Sequence, residues 1–475
     1  MSGSFDKYPL IALSDTQSKN SSREVNLTSV QVTGGDDFSD RFLQKGLAPL
    51  LRTADLTISD LIADAQTSVS FFSGTDCFKN VGVLIDKDTA YKQPINSLLQ
   101  SEVPMNLKAY VNLVPRQLKT VQFGSIHDSI YGNLLLLSYT NRNTFGNANY
   151  AHLAAIVNNI EGENGQSFEG SFKFPMSNPI NRFVANFSAQ NGTVPMFQSK
   201  RQVTGSAQFG FERHPHLTPS GIDYSFFGGL NFVRRSVLNV IDSASDEIKT
   251  YAGDSLKQTL FLNLAFGKLE CISASKGAFP LEGFKSNIKA EYTNPPFTNG
   301  QGLKFDTSDH FEKLEFCGEV FKSLLQDNIT LSCGIGCGNI KSLKTSISDT
   351  VHFMDKFYVS MPGYGILGLT RSSIGGMSYF SYKFALYCKL LFSSAKSPLR
   401  AYLSLSGAKL CQNLDDLVSI DTNAQYLKST ISTGITYKVG DYARCNVGYN
   451  WPLGVNNINE IRPGVELNVS LYGDF

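Results

Sequence analysis

Hydrophobic and polar residues alternate along the last fourteen residues of the chain, RPGVELNVSLYGDF, residues 462–475. Val465, Leu467 and Val469 fall on one face and the residues between them on the other, which is the period-2 pattern of a strand with one apolar side. The pattern runs almost to the C-terminus, where most domains fray. A strand that continues to the end of the chain is predicted to close a sheet. A closed sheet, with no free edge, is a barrel.

From about residue 116 onward, similar short alternating segments are separated by Gly, Asn, Pro and Ser. We count sixteen of them, and an even number suits a closed antiparallel membrane barrel. A soluble all-β array such as a propeller is the alternative, but the chain has no repeat of fixed period. The segments lie at about residues 118–124, 132–139, 150–157, 168–174, 182–189, 206–212, 221–233, 260–269, 287–292, 311–321, 329–337, 382–390, 401–407, 434–439, 442–451 and 464–471.

Residues 25–114 carry a different pattern, in which strand-like and helix-like stretches are mixed. After a strand at 25–33, one helix is predicted to follow Ser39 and a second to begin at Thr57, where Thr57 and Asp60 resemble a capping box. Two further strands complete the order β-α-α-β-β. About ninety residues can bury one modest core, so this stretch is expected to be a domain of its own.

These patterns divide the chain into three predicted regions. Residues 1–23, rich in Ser, Asn, Asp and Lys, are expected to be a disordered tail, and they resemble neither a secretory signal nor an Arg-rich presequence. Residues 24–115 form the small mixed domain. Residues 116–475 form the sixteen-stranded antiparallel transmembrane β-barrel, so the fold class is mainly β.

Composition narrows the range of functions. The apolar run at residues 134–137 is far shorter than the roughly 20 residues of a membrane helix, whereas a barrel strand needs only about ten alternating residues. With 42 basic and 41 acidic residues the net charge is +1, so no nucleic-acid partner is expected. The eight cysteines lack the spacing of a disulfide or zinc module and are predicted to be thiols.

A connection of some forty residues separates the eleventh segment from the twelfth and contains the glycine-rich stretch MPGYGILGLTRSSIGG at 361–376. Connections this long in a compact domain are usually functional. Gly334, Gly336 and Gly338 share one face of the eleventh segment. They either seat a close-packed element in the lumen, such as this connection, or relieve crowding where the barrel bends.

The other face of that segment carries Cys333 and Cys337. Four strand residues separate them by about 13 Å, which is too far for both to bind one metal ion, so no metal site is predicted.

The order of these elements resembles a POTRA domain followed by the barrel of the BamA-type outer-membrane insertase superfamily. Within it, the chain is most similar to the barrel subunit of the mitochondrial sorting and assembly machinery. The NTFGN turn at 143–147 and the segment at 273–292 resemble an early turn and the start of the ninth strand in that family. The family's last-strand signal is matched at Arg462, Gly464, Leu467 and Val469.

The resemblance implies that the protein inserts β-barrel precursors through a lateral seam between its first and last strands, in the mitochondrial outer membrane. It also implies accessory subunits, contact with outer-membrane lipid and a POTRA-like domain in the intermembrane space. Gly464 is expected to be small because another element packs against its backbone at the seam, and Leu467 and Val469 are expected to face lipid. The first strand contributes Leu118, Val121 and Phe123.

The long connection departs from the family pattern. Family members carry an Ile/Val-Arg-Gly-Phe/Tyr tetrad there, whose arginine is thought to pair inside the barrel. Two explanations are open: apolar contacts hold the connection, or Arg371 replaces the missing arginine. The aligned residues here are Ile366, Leu367, Gly368 and Leu369.

The chain has no Gly-x-Ser-x-Gly, Walker or His-Glu-x-x-His motif, so neither an enzyme nor a cofactor is expected. The alternatives to an insertase are a passive solute channel and a pore that moves unfolded polypeptides. A passive channel needs neither a folded N-terminal module nor a forty-residue internal connection, which favours the insertase.

Overall fold

The structure is a computed structural model of the chain. It describes residues 21–52, 56–89, 104–128, 132–160, 163–194, 199–217, 222–240, 242, 249, 252–271, 279–294, 310–325, 327–343, 351–358, 375–390, 398–412, 414–418, 427–439, 443–453 and 464–474.

The N-terminal sheet has four strands in the order β2-β1-β4-β3, with β1 parallel to β4 and the other pairs antiparallel. The predicted order is confirmed except for β2, a two-residue strand that pairs with the start of β1 and is too short to leave an alternating pattern. The elements are β1 (Glu24–Thr33), α1 (Asp40–Leu47), β2 (Leu56–Thr57), α2 (Ile58–Ser73), β3 (Phe78–Lys87) and β4 (Met105–Pro115).

Both helices begin where the sequence predicts. Ser39 caps α1 by accepting a hydrogen bond from the Phe42 amide. Thr57 and Asp60 form the reciprocal capping box of α2. The helices bury an aromatic core against the sheet, in which Phe42 and Phe72 pack edge to face. This sheet belongs to a compact unit that also includes residues 141–151 and 173–182.

The second compact unit is a closed barrel of sixteen antiparallel strands. Each of the sixteen predicted segments overlaps one observed strand, so the fold class is confirmed. The strands are β5 (Lys119–Asp128), β6 (Gly132–Asn141), β7 (Tyr150–Ile160), β8 (Glu163–Pro175), β9 (Asn181–Val194), β10 (Ser199–Leu217), β11 (Asp223–Val240), β12 (Gly253–Cys271), β13 (Pro280–Asn294), β14 (Phe311–Leu324), β15 (Ile329–Ser342), β16 (Ser378–Lys389), β17 (Leu399–Cys411), β18 (Leu427–Val439), β19 (Ala443–Leu453) and β20 (Gly464–Asp474).

Side chains alternate between the two faces of the wall as the period of a strand requires. On β15, Leu331 and Ile335 are exposed on the outer face, whereas Thr330 and Ser332 are buried on the inner face. Cys333 and Cys337 also lie on the exposed face, and in the described part of the chain no cysteine forms a disulfide. An apolar exterior around a polar interior is the arrangement that lipid stabilises.

No helix among the described residues is long and apolar enough to cross a membrane. A five-residue helix, α3 (Leu414–Val418), follows β17. A short 3₁₀ turn, Phe353–Asp355, lies in the long connection between β15 and β16.

Candidate functional site

The barrel closes where its last strand pairs with its first. The register of β20 with β5 runs from Asn468↔Asp128 to Asp474↔Gln122. Among the described residues this gives seven register pairs, against fifteen between β11 and β12. Since every second pair of an antiparallel ladder exchanges two backbone hydrogen bonds, the closing interface has fewer bonds to break than the β11–β12 interface on the far side of the barrel. The adjacent β19–β20 interface has eight register pairs among the described residues, about as many as the closing interface.

The predicted residues of the first strand divide between two environments. Val121 and Phe123 lie on the outer face of β5 and are 39% and 48% exposed. Leu118 precedes β5 and packs against the hydrophobic core of the N-terminal unit. The alternation that placed Leu118 in the strand therefore begins one residue too early.

The predicted residues of the last strand are described from Gly464 onward, and Arg462 lies outside the described residues. Leu467 is exposed on the outer face and Val469 is half-buried. The packed neighbour expected at Gly464 is not found among the described residues, where a Cβ added to this glycine would meet no atom within 4 Å. No contact in the described part of the chain therefore explains the small size of this residue.

The described part of the long connection, residues 351–358, is buried. Val351, Phe353, Phe357 and Tyr358 are each at most 2% exposed. The Tyr358 hydroxyl donates a hydrogen bond of 2.7 Å to the Phe353 carbonyl, which closes the segment on itself. Phe357 and Gly376 also exchange backbone hydrogen bonds of 2.9 Å.

Asp355 joins this segment to the barrel wall. The Arg235 guanidinium on β11 donates two hydrogen bonds to its carboxylate, at 2.8 and 2.7 Å, and the Lys257 ammonium on β12 donates a third at 2.6 Å. All three side chains are 6% exposed. Because removing one partner of a buried ion pair leaves a charge uncompensated, such a loss costs about 3–5 kcal/mol.

Two more charged residues complete the cluster. Lys257 also contacts Glu291 on β13 at 3.3 Å, and Lys313 on β14 donates a 2.9 Å hydrogen bond to the backbone carbonyl of Asp355. The Lys313 ammonium lies 4.5 Å from the centre of the Phe357 ring. Four of the cluster's five charged residues lie on the wall, and three of the four are basic. The wall that faces Asp355 therefore carries a net positive charge.

The glycine face of β15 receives the same segment. A Cβ at Gly338 would lie 2.7 Å from the Phe357 ring and 2.4 Å from that of Tyr379, both closer than real contacts allow. A Cβ at Gly336 would lie 2.6 Å from Ser381, whereas the neighbours of Gly334 are at ordinary distances. Of the two explanations open from sequence, Gly338 therefore supports the seat for the long connection.

The residues aligned with the family tetrad, and Arg371 after them, lie outside the described residues: Ile366, Leu367, Gly368, Leu369 and Arg371. The described anchor is Asp355, which sequence reasoning missed. The available signal was a single acidic residue in the otherwise largely apolar stretch VHFMDKFYV, residues 351–359. Its partners are 98 and 120 residues away along the chain, beyond the reach of any local pattern.

Comparison with known families decides which group of barrels this is. The profile of the Omp85 superfamily domain matches residues 137–467. The chain belongs to the Omp85 superfamily. A SAM50-like protein of Schizosaccharomyces pombe is 22% identical over 477 residues, covering 97% of this chain and 93% of the relative.

Solved structures agree on the fold of this Omp85-superfamily barrel. BamA from Haemophilus ducreyi lacking POTRA domains 1–3 superposes with a TM-score of 0.68 at 12% identity, covering 95% of this chain and 85% of that one. CdiB from Acinetobacter baumannii superposes with a TM-score of 0.58 at 12% identity, covering 95% and 74%. The chain is a barrel of the SAM50 and BamA type.

Proposed function

We propose that this barrel inserts β-barrel precursors into the mitochondrial outer membrane through a lateral seam between β5 and β20. The observation that carries the proposal is the closure of the barrel through its first and last strands by seven register pairs. Membership of the Omp85 superfamily and the SAM50-like relative support the same role. The proposed role is not enzymatic and uses no cofactor.

The physical need for such a seam comes from the backbone of the precursor. An unpaired N–H or C=O group in hydrocarbon costs several kcal/mol, so an arriving strand cannot enter the membrane without partners. Separating β20 from β5 would expose the backbone N–H and C=O groups along one edge of each strand. These groups have the spacing that another strand needs for pairing. A precursor strand can add to such an edge by β-augmentation.

The proposal assigns partners and places to each part of the chain. Precursor β-barrels, accessory subunits of an assembly complex and outer-membrane lipid are the partners. The N-terminal domain is proposed to lie in the intermembrane space as a POTRA-like domain. Its β1, α1, α2, β3 and β4 elements support that comparison through their order.

A reversible lock on the seam tests the mechanism. Ser125 and Leu471 are register partners across β5 and β20, and partners in an antiparallel pair lie within disulfide range. In proteoliposomes that carry Ser125→Cys with Leu471→Cys, oxidation should abolish insertion of a small urea-unfolded outer-membrane β-barrel. Reduction should restore it. Folding of the inserted barrel is measured by its heat-modifiable migration on gels.

The chain supplies a matched control for the lock. Tyr437 on β18 faces the native Cys445 on β19, so Tyr437→Cys ties β18 to β19 and leaves both seam strands untouched. Oxidation of this variant should leave insertion near the wild-type rate. Full insertion by the oxidised Ser125→Cys, Leu471→Cys protein would exclude the seam and favour the passive-channel or translocating-pore alternatives.

A further inference from the structure

We infer that Asp355 positions the long connection against the barrel wall. In the ion pairs that hold it, the connection supplies the acid, Asp355, and the wall supplies the bases, Arg235 and Lys257. The inference deepens the proposed function, on which its link to precursor insertion rests. It assigns the anchor to residues that lie outside the tetrad positions of the family.

The first argument is the chemistry of the contact. The Asp355 carboxylate receives three charge-assisted hydrogen bonds from two different strands, and the bidentate fork of Arg235 fixes its orientation as well as its distance. A buried charge persists only where its partner is present. The segment therefore cannot leave this wall without exposing or separating the charges.

The second argument is the path of the chain. The connection leaves the barrel at β15 and returns at β16, the eleventh and twelfth of the sixteen barrel strands. Arg235 and Lys257 lie on β11 and β12, the seventh and eighth strands. The described segment therefore reaches along the inner wall, past the strands between, to a point half the circumference away from the seam.

The third argument is that the contact separates into independent parts. Lys313 bonds to the Asp355 backbone carbonyl, and Phe357 packs beside Gly338 and Tyr379. None of these contacts uses the carboxylate. A variant that lacks only the charge keeps them, so the barrel should still fold and the role of the charge can be measured.

The test is hydrogen exchange of residues 351–358 in the full-length protein in proteoliposomes. Asp355→Asn should exchange at least tenfold faster in this segment, with unchanged exchange in β11 and β12. The conservative variant Asp355→Glu keeps the carboxylate that Arg235 and Lys257 bind and should retain most of the protection, which a purely steric role would not produce. Heat-modifiable migration checks that each barrel has folded.

An exposed ion pair on the same two strands provides the control. Arg234 lies next to Arg235, and its pair with Asp254 at 3.0 Å is 68% and 42% exposed. Asp254→Asn should leave exchange of residues 351–358 unchanged, because exposed pairs contribute little. Unchanged exchange in Asp355→Asn would overturn the inference, as would equal effects of the two substitutions.

Precursor insertion is measured on the same samples to separate the two proposals. Lower insertion by Asp355→Asn, with insertion largely retained in Asp355→Glu, supports a positioning role in insertion. If Asp355→Asn exchanges faster in residues 351–358 and still inserts precursors normally, that role is overturned. A wild-type protein that inserts no precursor, yet shows the expected exchange differences, would refute the proposed function and leave Asp355 as the anchor.

Discussion

At the scale of single residues, the barrel wall separates polar from apolar side chains with a period of two. On β17, Leu403 is 51% exposed on the outer face, and its neighbour Ser404 is 4% exposed on the inner face. Further along β17, Ser406 shares a hydrogen bond of 3.0 Å with Thr430 of β18. At this position the inner hydroxyl groups pair with each other, while Leu403 presents only apolar atoms on the outer face.

This separation predicts a large effect at Leu403. Leu403→Lys places a charge on the lipid face near the middle of β17 and should lower the free energy of unfolding by about 2–4 kcal/mol. Leu403→Met keeps the face apolar and should change it by less than about 1.5 kcal/mol. Urea unfolding in lipid vesicles measures both. Equal losses would show that Leu403 does not face lipid.

At the scale of an element, α2 shows how a few side chains set where a helix starts. The Thr57 hydroxyl accepts from the Asp60 amide at 3.2 Å, and the Asp60 carboxylate accepts from the Thr57 amide at 3.2 Å. Both bonds satisfy N–H groups that the helix itself cannot pair. The box thus fixes the first turn of the helix that covers the N-terminal sheet.

We expect Thr57→Ala to destabilise this helix by about 1 kcal/mol, since it removes the cap. Hydrogen exchange in residues 58–62 of the full chain should speed up accordingly. Thr67→Ala is the control, because Thr67 lies inside the same helix, is exposed and donates only to the Ala63 carbonyl. Its replacement by a better helix former should leave exchange unchanged or slower.

The same box has a pH dependence. Hydrogen bonds from the Thr57 side chain and backbone hold the pKa of the Asp60 carboxyl below its ordinary value. A carboxyl with a lowered folded pKa stabilises the helix above its unfolded pKa of about 3.9, and this stabilisation is lost as pH falls through the folded value. The protection of the first turn of α2, measured relative to the intrinsic exchange rate at each pH, should therefore fall below about pH 4. Asp60→Asn should remove that dependence.

At the scale of the whole barrel, the even strand count fixes where the closing strands meet. Gln122 near the start of β5 pairs with Asp474 near the end of β20, so the barrel is entered and left at the same rim. β15 and β5 end at the opposite rim, because they are the eleventh and first of the sixteen barrel strands.

This parity predicts the fate of a tag. In intact mitochondria, protease added from outside should spare a tag placed after Phe475, and rupture of the outer membrane should expose it. An outer-membrane protein with a cytosolic domain serves as the positive control for digestion. Loss of the tag before rupture would contradict either the strand parity or the proposed orientation.

The sequence predicts the strands well because their signal is local. Each alternating run overlaps an observed strand, although the ends differ: the segment at 118–124 begins one residue before β5, whereas the segment at 206–212 is the middle of β10, Ser199–Leu217. In such long strands the alternation weakens toward the rims, where both faces become polar. The start of α2 was predicted for the same reason, since the capping box lies within four residues.

The anchor could not be predicted because it joins distant segments. Arg235, Lys257 and Asp355 become neighbours only when the barrel has closed and the connection has entered it. The sequence pointed instead to residues 366–371, through the family pattern. Gly464 is a different case: its place in a motif suggested a packed neighbour, and the described residues supply none within 4 Å.

The contacts of residues 351–358 have a mechanical consequence. Arg235, Lys257, Lys313 and Gly338 belong to β11, β12, β14 and β15, so one segment is fastened to both ends of an arc of five consecutive strands. Because one segment contacts both ends of this arc, the arc resists changes in its curvature. If the barrel widens to admit another strand, the change in curvature must therefore occur in the other eleven strands. These include β5 and β20, the two strands of the proposed seam.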